Sequence, residues 1–336
     1  MAMCIRASMA RSVFVVALLT ALAPPALAFD LQGHRCARSL APENTLHAFA
    51  RALSIGVTTI ELDLSIAKDG AVVVSHDRRL NPDITRLSTG EWLSAPGPTI
   101  MSLTLEEIQR FDVGQIKPGT AYAKLFPDQQ LYKRAWIPTL AEVVALTRKA
   151  GNEEVRFNIE TKLSPLAAED TVDPEAFARS VIAEVGRLGI SERVSIQSFD
   201  WRTLASVARI APNVPLVFLT LERGQNDNIW KGRGAVSPWT GLDAAAYDNR
   251  TARIVHAAGG KIWSPLFRDI DSDAIREAKS LGLAVVVWTV NEKADMARLI
   301  ELGVDGIITD RPDRLREVLA EKGMPLPRST PIAAGQ

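Results

Sequence analysis

Between Gly33 and Asp77 the chain carries Gly33-His34-Arg35, Pro42-Glu43-Asn44-Thr45, Glu61-Leu62-Asp63 and Ser75-His76-Asp77, four motifs that hold two of its four histidines. Imidazoles transfer protons near neutral pH. Carboxylates hold hard cations, and a guanidinium grips phosphate oxygens with a directional fork. Glu61 and Asp63 are separated by one residue, so in a strand both point to the same face. Two carboxylates on an inward face are costly unless a cation or strong partners accompany them. These residue types describe metal-assisted chemistry on a phosphate ester, provided that the fold brings them together.

The elements that must do so alternate from Phe29 onward. Candidate strands are Asp30–Gly33, Thr59–Ser65, Val155–Glu160, Val194–Gln197, Leu216–Thr220, Lys261–Ser264, Ala284–Thr289 and Gly306–Thr309. Several are continuous apolar runs, as strands buried on both faces require. Helical patterns lie between them: Glu43–Leu53 after Pro42, Leu140–Ala150 before Gly151, and a segment from Asp173-Pro174 towards Gly189. Ser272–Ser280, Glu292–Leu302 and Arg311–Ala320 complete the series. Eight such units predict an α/β fold, a closed parallel (β/α)8 TIM barrel of about 250 residues or more. An open doubly wound sheet is the competitor, but no glycine-rich dinucleotide fingerprint follows any strand.

Barrel active sites sit at the C-terminal strand ends, and polar or aromatic residues fall there in nearly every unit. They are His34 and Arg35, Glu61 and Asp63, Glu160 and Lys162, Gln197 and Ser198, Trp263, Trp288, and Thr309-Asp310. His47 and His256 lie inside helical patterns and read as structural or surface residues. Two connections, Asp77–Ile137 and Glu222–Asn249, are long enough to be lids or added subdomains. The first, an insertion at about 78–137 after the second strand, contains a possible hairpin return and a Thr104–Phe111 helical pattern.

The 336 residues have zero formal net charge and 47% hydrophobic content. There is no electrostatic argument for nucleic acid or an anionic membrane as a partner. Residues 1–28 read as a signal peptide, with Arg6 and Arg11, the apolar run Val13–Leu22 and an Ala26-Leu27-Ala28 cleavage site. That run is too short for a membrane span, which disfavours an uncleaved anchor. Export follows, most simply to the periplasm, with a barrel domain at 29–325, a tail at 326–336 and no stable membrane span after cleavage. Cleavage removes Cys4, leaves Cys36 alone and excludes an intrachain disulfide. No cysteine-nucleophile signature surrounds Cys36, which reads as the replacement of a smaller residue in a tight turn.

The segments GHRCARSLAPENTLHAFARAL, TIELDLSIAKDGAVVVSHD, FNIETK, SIQSFDW, VVVWTVN and GVDGIITDRP resemble, in order, the glycerophosphodiester phosphodiesterase family, specifically its exported bacterial branch. The resemblance covers essentially the whole chain after residue 28. It implies hydrolysis of small glycerophosphodiesters to glycerol 3-phosphate and an alcohol. His34 and His76 would then be the acid/base pair, and Glu61, Asp63 and Glu160 the ligands of one divalent cation. Arg35 and Lys162 would contact phosphate, Trp288 would flank the glycerol, and Glu43 and Asn44 would support the first loop. An all-oxygen ligand set indicates Ca²⁺ or Mg²⁺ rather than zinc, and export mildly favours Ca²⁺. The resemblance allows either the substrate's own glycerol hydroxyl, through a cyclic phosphate, or water as nucleophile. A related barrel phospholipase or lysophospholipase D is the alternative. The family usually has glycine where this chain has Cys36, a position where a side chain should restrict the backbone and an exposed thiol would oxidise.

Overall fold

The computed structural model describes residues 29–224 and 227–333; the expected signal peptide lies outside the described residues. Nine strands form one sheet: β1 (Asp30–Gly33), β2 (Thr59–Ile66), β3 (Val72–Val74), β4 (Arg156–Thr161), β5 (Val194–Ser198), β6 (Leu216–Thr220), β7 (Ile262–Pro265), β8 (Ala284–Val287) and β9 (Gly306–Thr309). All but β3 run parallel to their neighbours, and β1 pairs with both β2 and β9, closing an eight-stranded barrel. Closure leaves the eight barrel strands no open edge. This confirms the (β/α)8 expectation over the open sheet.

Each barrel strand is followed by a helix that packs outside. These are α1 (Leu46–Ile55), then, after two short helices α2 (Leu105–Ile108) and α3 (Ala121–Leu125), α4 (Leu140–Lys149), α5 (Pro174–Arg187), α6 (Trp201–Ile210), α7 (Thr251–Ala257), α8 (Ser272–Ser280), α9 (Lys293–Glu301) and α10 (Pro312–Glu321). In β2 every residue is buried. Ile60, Leu62 and Leu64 belong to the main apolar core, and the intervening Glu61 and Asp63 face the barrel interior. Among the described residues no helix is long and apolar enough to cross a membrane.

Three local expectations are corrected. The first helix begins at Leu46, not Glu43, because Thr45 caps it by accepting from Ala48 N and Asn44 adopts a left-handed conformation. Pro42–Asn44 therefore form a turn that is free to enter the site. The hairpin return expected beyond Asp77 lies before it: β3 folds back antiparallel on Leu64–Ile66, and Ser75 N donates to Asp63 O at 3.0 Å. That pairing carries His76 to the strand end. The long connection Glu222–Asn249 is stitched to the barrel, Asn228 Nδ2 donating to Phe199 O and Leu219 O, and among its described residues none lines the active cavity. The segment between β3 and α4 packs around its own apolar cluster, which includes Leu80, Ile100, Ile108, Val113 and Ile137.

Candidate active site

Carboxylate oxygens of Glu61, Asp63 and Glu160 lie within 4.8 Å of one another, all three residues buried. The register that sets Asp63 opposite Glu160 across β2 and β4 produces this approach. Glu61 accepts from the Arg35 backbone N–H and from Gln197 Nε2, both at 2.7 Å. Gln197 is itself fixed by Asn158, whose Nδ2 also donates to Gln32, so a chain of buried amides underlies the cluster. Asp63 accepts from Asn44 Nδ2 at 2.9 Å, and Lys162 Nζ sits 2.6 Å from Glu160 Oε1.

Crowding governs the protonation of this cluster. Burial, then the neighbouring Asp63, drives Glu61 well above the usual carboxylate range. Burial likewise pushes Glu160 up to about 7, with Asp63 adding to the effect and Lys162 opposing it. Burial also disfavours charge on Asp63, but His76, Lys162 and Arg35 together hold it below its ordinary value. Asp63 Oδ1 is buried without a hydrogen-bond partner. An orphaned anionic oxygen facing two carboxyls that resist ionisation fits a hard divalent cation with oxygen ligands.

Each candidate imidazole is backed by a carboxylate. His34 Nδ1 is 2.6 Å from Asp310 Oδ1, and His76 Nδ1 is 2.8 Å from Asp77 Oδ1. A carboxylate can only accept, so each Nδ1 carries the proton and each Nε2 is left as an acceptor. Asp310 is held by Arg38 through Nε and a terminal nitrogen, at 2.9 and 3.1 Å, and by Asn291 at 2.8 Å. Asn81 holds Asp77 at 2.7 Å. Burial, then the charge of Arg38, lowers His34 to about 4 against the pull of Asp310. Burial, Arg35 and Lys162 also lower His76. Both rings are neutral at pH 7.

The loop between β1 and α1 shapes the rest. Arg35 and Cys36 both take positive φ, 44° and 72°. This turn sends the Arg35 amide to Glu61 and its guanidinium to Glu43 at 2.6 Å. The oxidation risk that an exposed thiol would carry does not arise: Cys36 is fully buried, and burial followed by Glu61 raises its pKa well above normal. Its side chain fills apolar space at a position where glycine would relieve backbone strain. Those effects oppose each other, each about 1 kcal/mol. Cys36→Gly should therefore leave thermal stability within about 1 kcal/mol of wild type. Cys36→Ala keeps the strain and loses the sulfur, and should be the less stable variant in the same melts. Peptide mapping after treatment with a thiol reagent should find Cys36 unlabelled until the protein is denatured.

His34, Arg35, Glu61, His76, Glu160, Lys162 and Trp288 all line one cavity of about 190 Å³, with Phe199, Leu219 and Ile308 as an apolar wall. Trp288 donates Nε1 to Ser264 O and meets Phe199 edge to face at 5.3 Å. Trp263 is instead fully buried core, bonded to Thr220 Oγ1. Among the predicted residues Glu43 and Asn44 stand behind the cavity, contacting Arg35 and Asp63. His47 stacks on Tyr132, away from it. Sequence reasoning left Asp77, Asp310, Arg38, Asn291 and Tyr122 without roles; the acids within Ser75-His76-Asp77 and Thr309-Asp310 were its only signal for any of them.

The model of the glycerophosphoryl diester phosphodiesterase family matches residues 34–314. A glycerophosphodiester phosphodiesterase from Caldanaerobacter subterraneus is 32% identical over 291 residues, covering 86% of this chain and 97% of the relative. Its namesake from Bacillus subtilis is 30% identical, covering 85% and 84%. A crystal structure from Silicibacter pomeroyi bearing the same family name superposes with a TM-score of 0.76 at 33% identity, over 88% of this chain and 95% of that one. An Oleispira antarctica phosphodiesterase, solved with the product sn-glycerol-3-phosphate, shares the fold with a TM-score of 0.61 at 18% identity, over 86% and 96%. The eight-stranded barrel, the ordered motifs along it and these matches place the chain in the glycerophosphoryl diester phosphodiesterase family.

Proposed function

We propose that this protein hydrolyses glycerophosphodiesters to glycerol 3-phosphate and an alcohol, using His34 and His76 as its proton-transfer pair and a divalent cation held by Glu61, Asp63 and Glu160. The observation that carries this reading is the convergence of two carboxylate-backed imidazoles and the three-carboxylate cluster on one small cavity. Pockets for drug-sized ligands occupy about 300–1,000 Å³, so the smaller volume here suits a compact polar substrate. The glycerol 3-phosphate bound to the Oleispira protein supports the same substrate class.

The cation, when bound, supplies neutralisation of charge on the phosphoryl oxygens. Arg35 and Lys162 face the same cavity and grip the remaining oxygens, the first as a fork and the second as a point charge. One imidazole accepts a proton at Nε2 from the attacking oxygen, either water or the substrate's glycerol hydroxyl, as the new P–O bond forms; after glycerol attack, water then opens the cyclic phosphate to glycerol 3-phosphate. The other gives a proton to the departing alcohol oxygen as its P–O bond breaks. Anionic substrate raises the pKa of a nearby imidazole, so binding charges the ring that must donate. Asp77 and Asp310 keep both rings aimed and stabilise the cationic form. Trp288, Phe199 and Leu219 present an apolar surface to the carbon skeleton.

The decisive assay incubates the purified protein with glycerophosphocholine, with and without added Ca²⁺ or Mg²⁺. Cation-dependent release of glycerol 3-phosphate is expected. Turnover of lysophospholipids alone would point instead to the related barrel phospholipases, and no turnover with either cation would sink the reading.

A further inference from the structure

The excursion between β3 and α4 reaches back over the β1–α1 loop through the segment around α3. The Tyr122 hydroxyl donates to Glu43 Oε2 and accepts from an Arg38 terminal nitrogen at 3.4 Å. Phe126, edge to face with Tyr122, lies under the Arg38 guanidinium at 4.7 Å. Gln129 Nε2 donates to Arg38 O at 2.6 Å, and Gln130 N donates to Leu40 O at 3.0 Å. Asp128 pairs with Arg311 at 2.9 Å, tying the same segment to the start of α10.

The two side chains gripped in this way each hold a member of the site. Glu43 fixes Arg35 at 2.6 Å, and Arg38 makes a two-point bond to Asp310, which orients His34. We infer that residues 120–130 are a strap that positions the first loop, with Tyr122 and Arg38 as positioning residues that set the placement of Arg35 and His34. The inference rests on the proton-transfer role proposed for His34. Isolated surface loops need no such bonding to the barrel. Here one hydroxyl and one ring engage the two residues that reach the phosphate grip and an imidazole.

Charge supplies a readout that a merely structural role would not move. His34 faces Asp310 from the end of β9 and Arg38 and Arg35 from its own loop. Removing the Arg38 charge leaves Asp310 uncompensated, so whichever limb of the pH–rate profile His34 governs should move upward, by about one pH unit.

The test compares wild type, Tyr122→Phe and Arg38→Met at saturating cation. Tyr122→Phe should lower kcat about tenfold with KM changed less than about threefold, the scale of losing a supporting hydrogen bond behind an active group. Arg38→Met should show the upward limb shift. In both variants amides of residues 34–44 should exchange with solvent about tenfold faster while the far side of the barrel is unchanged. Wild-type kcat, pH profile and loop exchange in both variants would overturn the strap. So would a lowered melting temperature with kcat and pH limb unmoved, which marks a purely structural segment. Absence of diesterase turnover in wild type would sink the proposed reaction, and loop exchange would still decide the strap.

Discussion

His34→Gln should reduce kcat for glycerophosphocholine about 10²–10⁴-fold, the usual contribution of a positioned proton-transfer group. KM and the affinity for the divalent cation should stay within a few-fold of wild type. His34 bonds to Asp310 and not to the carboxylate cluster, so its loss leaves Glu61, Asp63, Glu160 and the Lys162 contact in place. Glutamine preserves a polar group of similar size but cannot accept and return a proton at Nε2. His76→Gln should fall in the same range because Asp77 backs it in the same way. Steady-state kinetics, with melting curves to show that both variants fold, decide the matter. Turnover of either folded variant within threefold of wild type would remove that histidine from the chemistry. A rise in KM with kcat unchanged would move it to a binding role.

Much of this site was legible because strand geometry turns spacing into direction. Glu61 and Asp63 share a face through alternation alone, and the placement of Glu160 on the next barrel strand follows from the parallel register. The barrel itself was readable from buried apolar runs such as Ala284–Val287. What escaped were partners chosen by tertiary approach. Asp310 is 276 positions from His34, and Tyr122 is 79 from Glu43, distances over which no local pattern operates. Gln32 and Asn158 look like ordinary polar strand residues, and Gln197 like one more strand-end polar group, until the closed barrel stacks them beneath Glu61. β3 has only three residues, too few to register as a period. The Cys36 position shows the other kind of miss. Steric preference says that a side chain there should reshape the turn, yet burial of that side chain and the bond from the Arg35 amide to Glu61 hold it in the left-handed conformation.

Exhaustive chelation should abolish turnover, and added Ca²⁺ or Mg²⁺ should restore it while raising thermal stability. In the cation-free protein Glu160 is pushed up to about 7 and Glu61 is held well above the usual carboxylate range, so the folded state holds protons that the unfolded chain has lost. Above about pH 7.5 free histidines have largely released their protons, and His34 and His76, being lowered, have released theirs in the folded state as well. In that range the folded state binds more protons, and stability must fall as pH rises. Bound cation removes the reason for those protons: it should release them on binding, flatten the decline, and stabilise by about 2.7 kcal/mol at a hundredfold excess over Kd. Asp63→Asn tests the same cluster from within. It retains the shape and the Asn44 neighbour but withdraws the one carboxylate already held ionised, whose Oδ1 has no hydrogen-bond partner. We expect its turnover to fall at least about a hundredfold, since an anionic metal ligand and a buried charge partner of Arg35 and Lys162 go together. Calorimetric titration should show weakened cation binding with less proton release. An Asp63→Asn protein that binds cation as wild type does, or a chelated wild type that still turns over, would take the metal out of the mechanism and leave charge at the phosphate to Arg35, Lys162 and the protonated imidazole, with Arg38 on the same cavity.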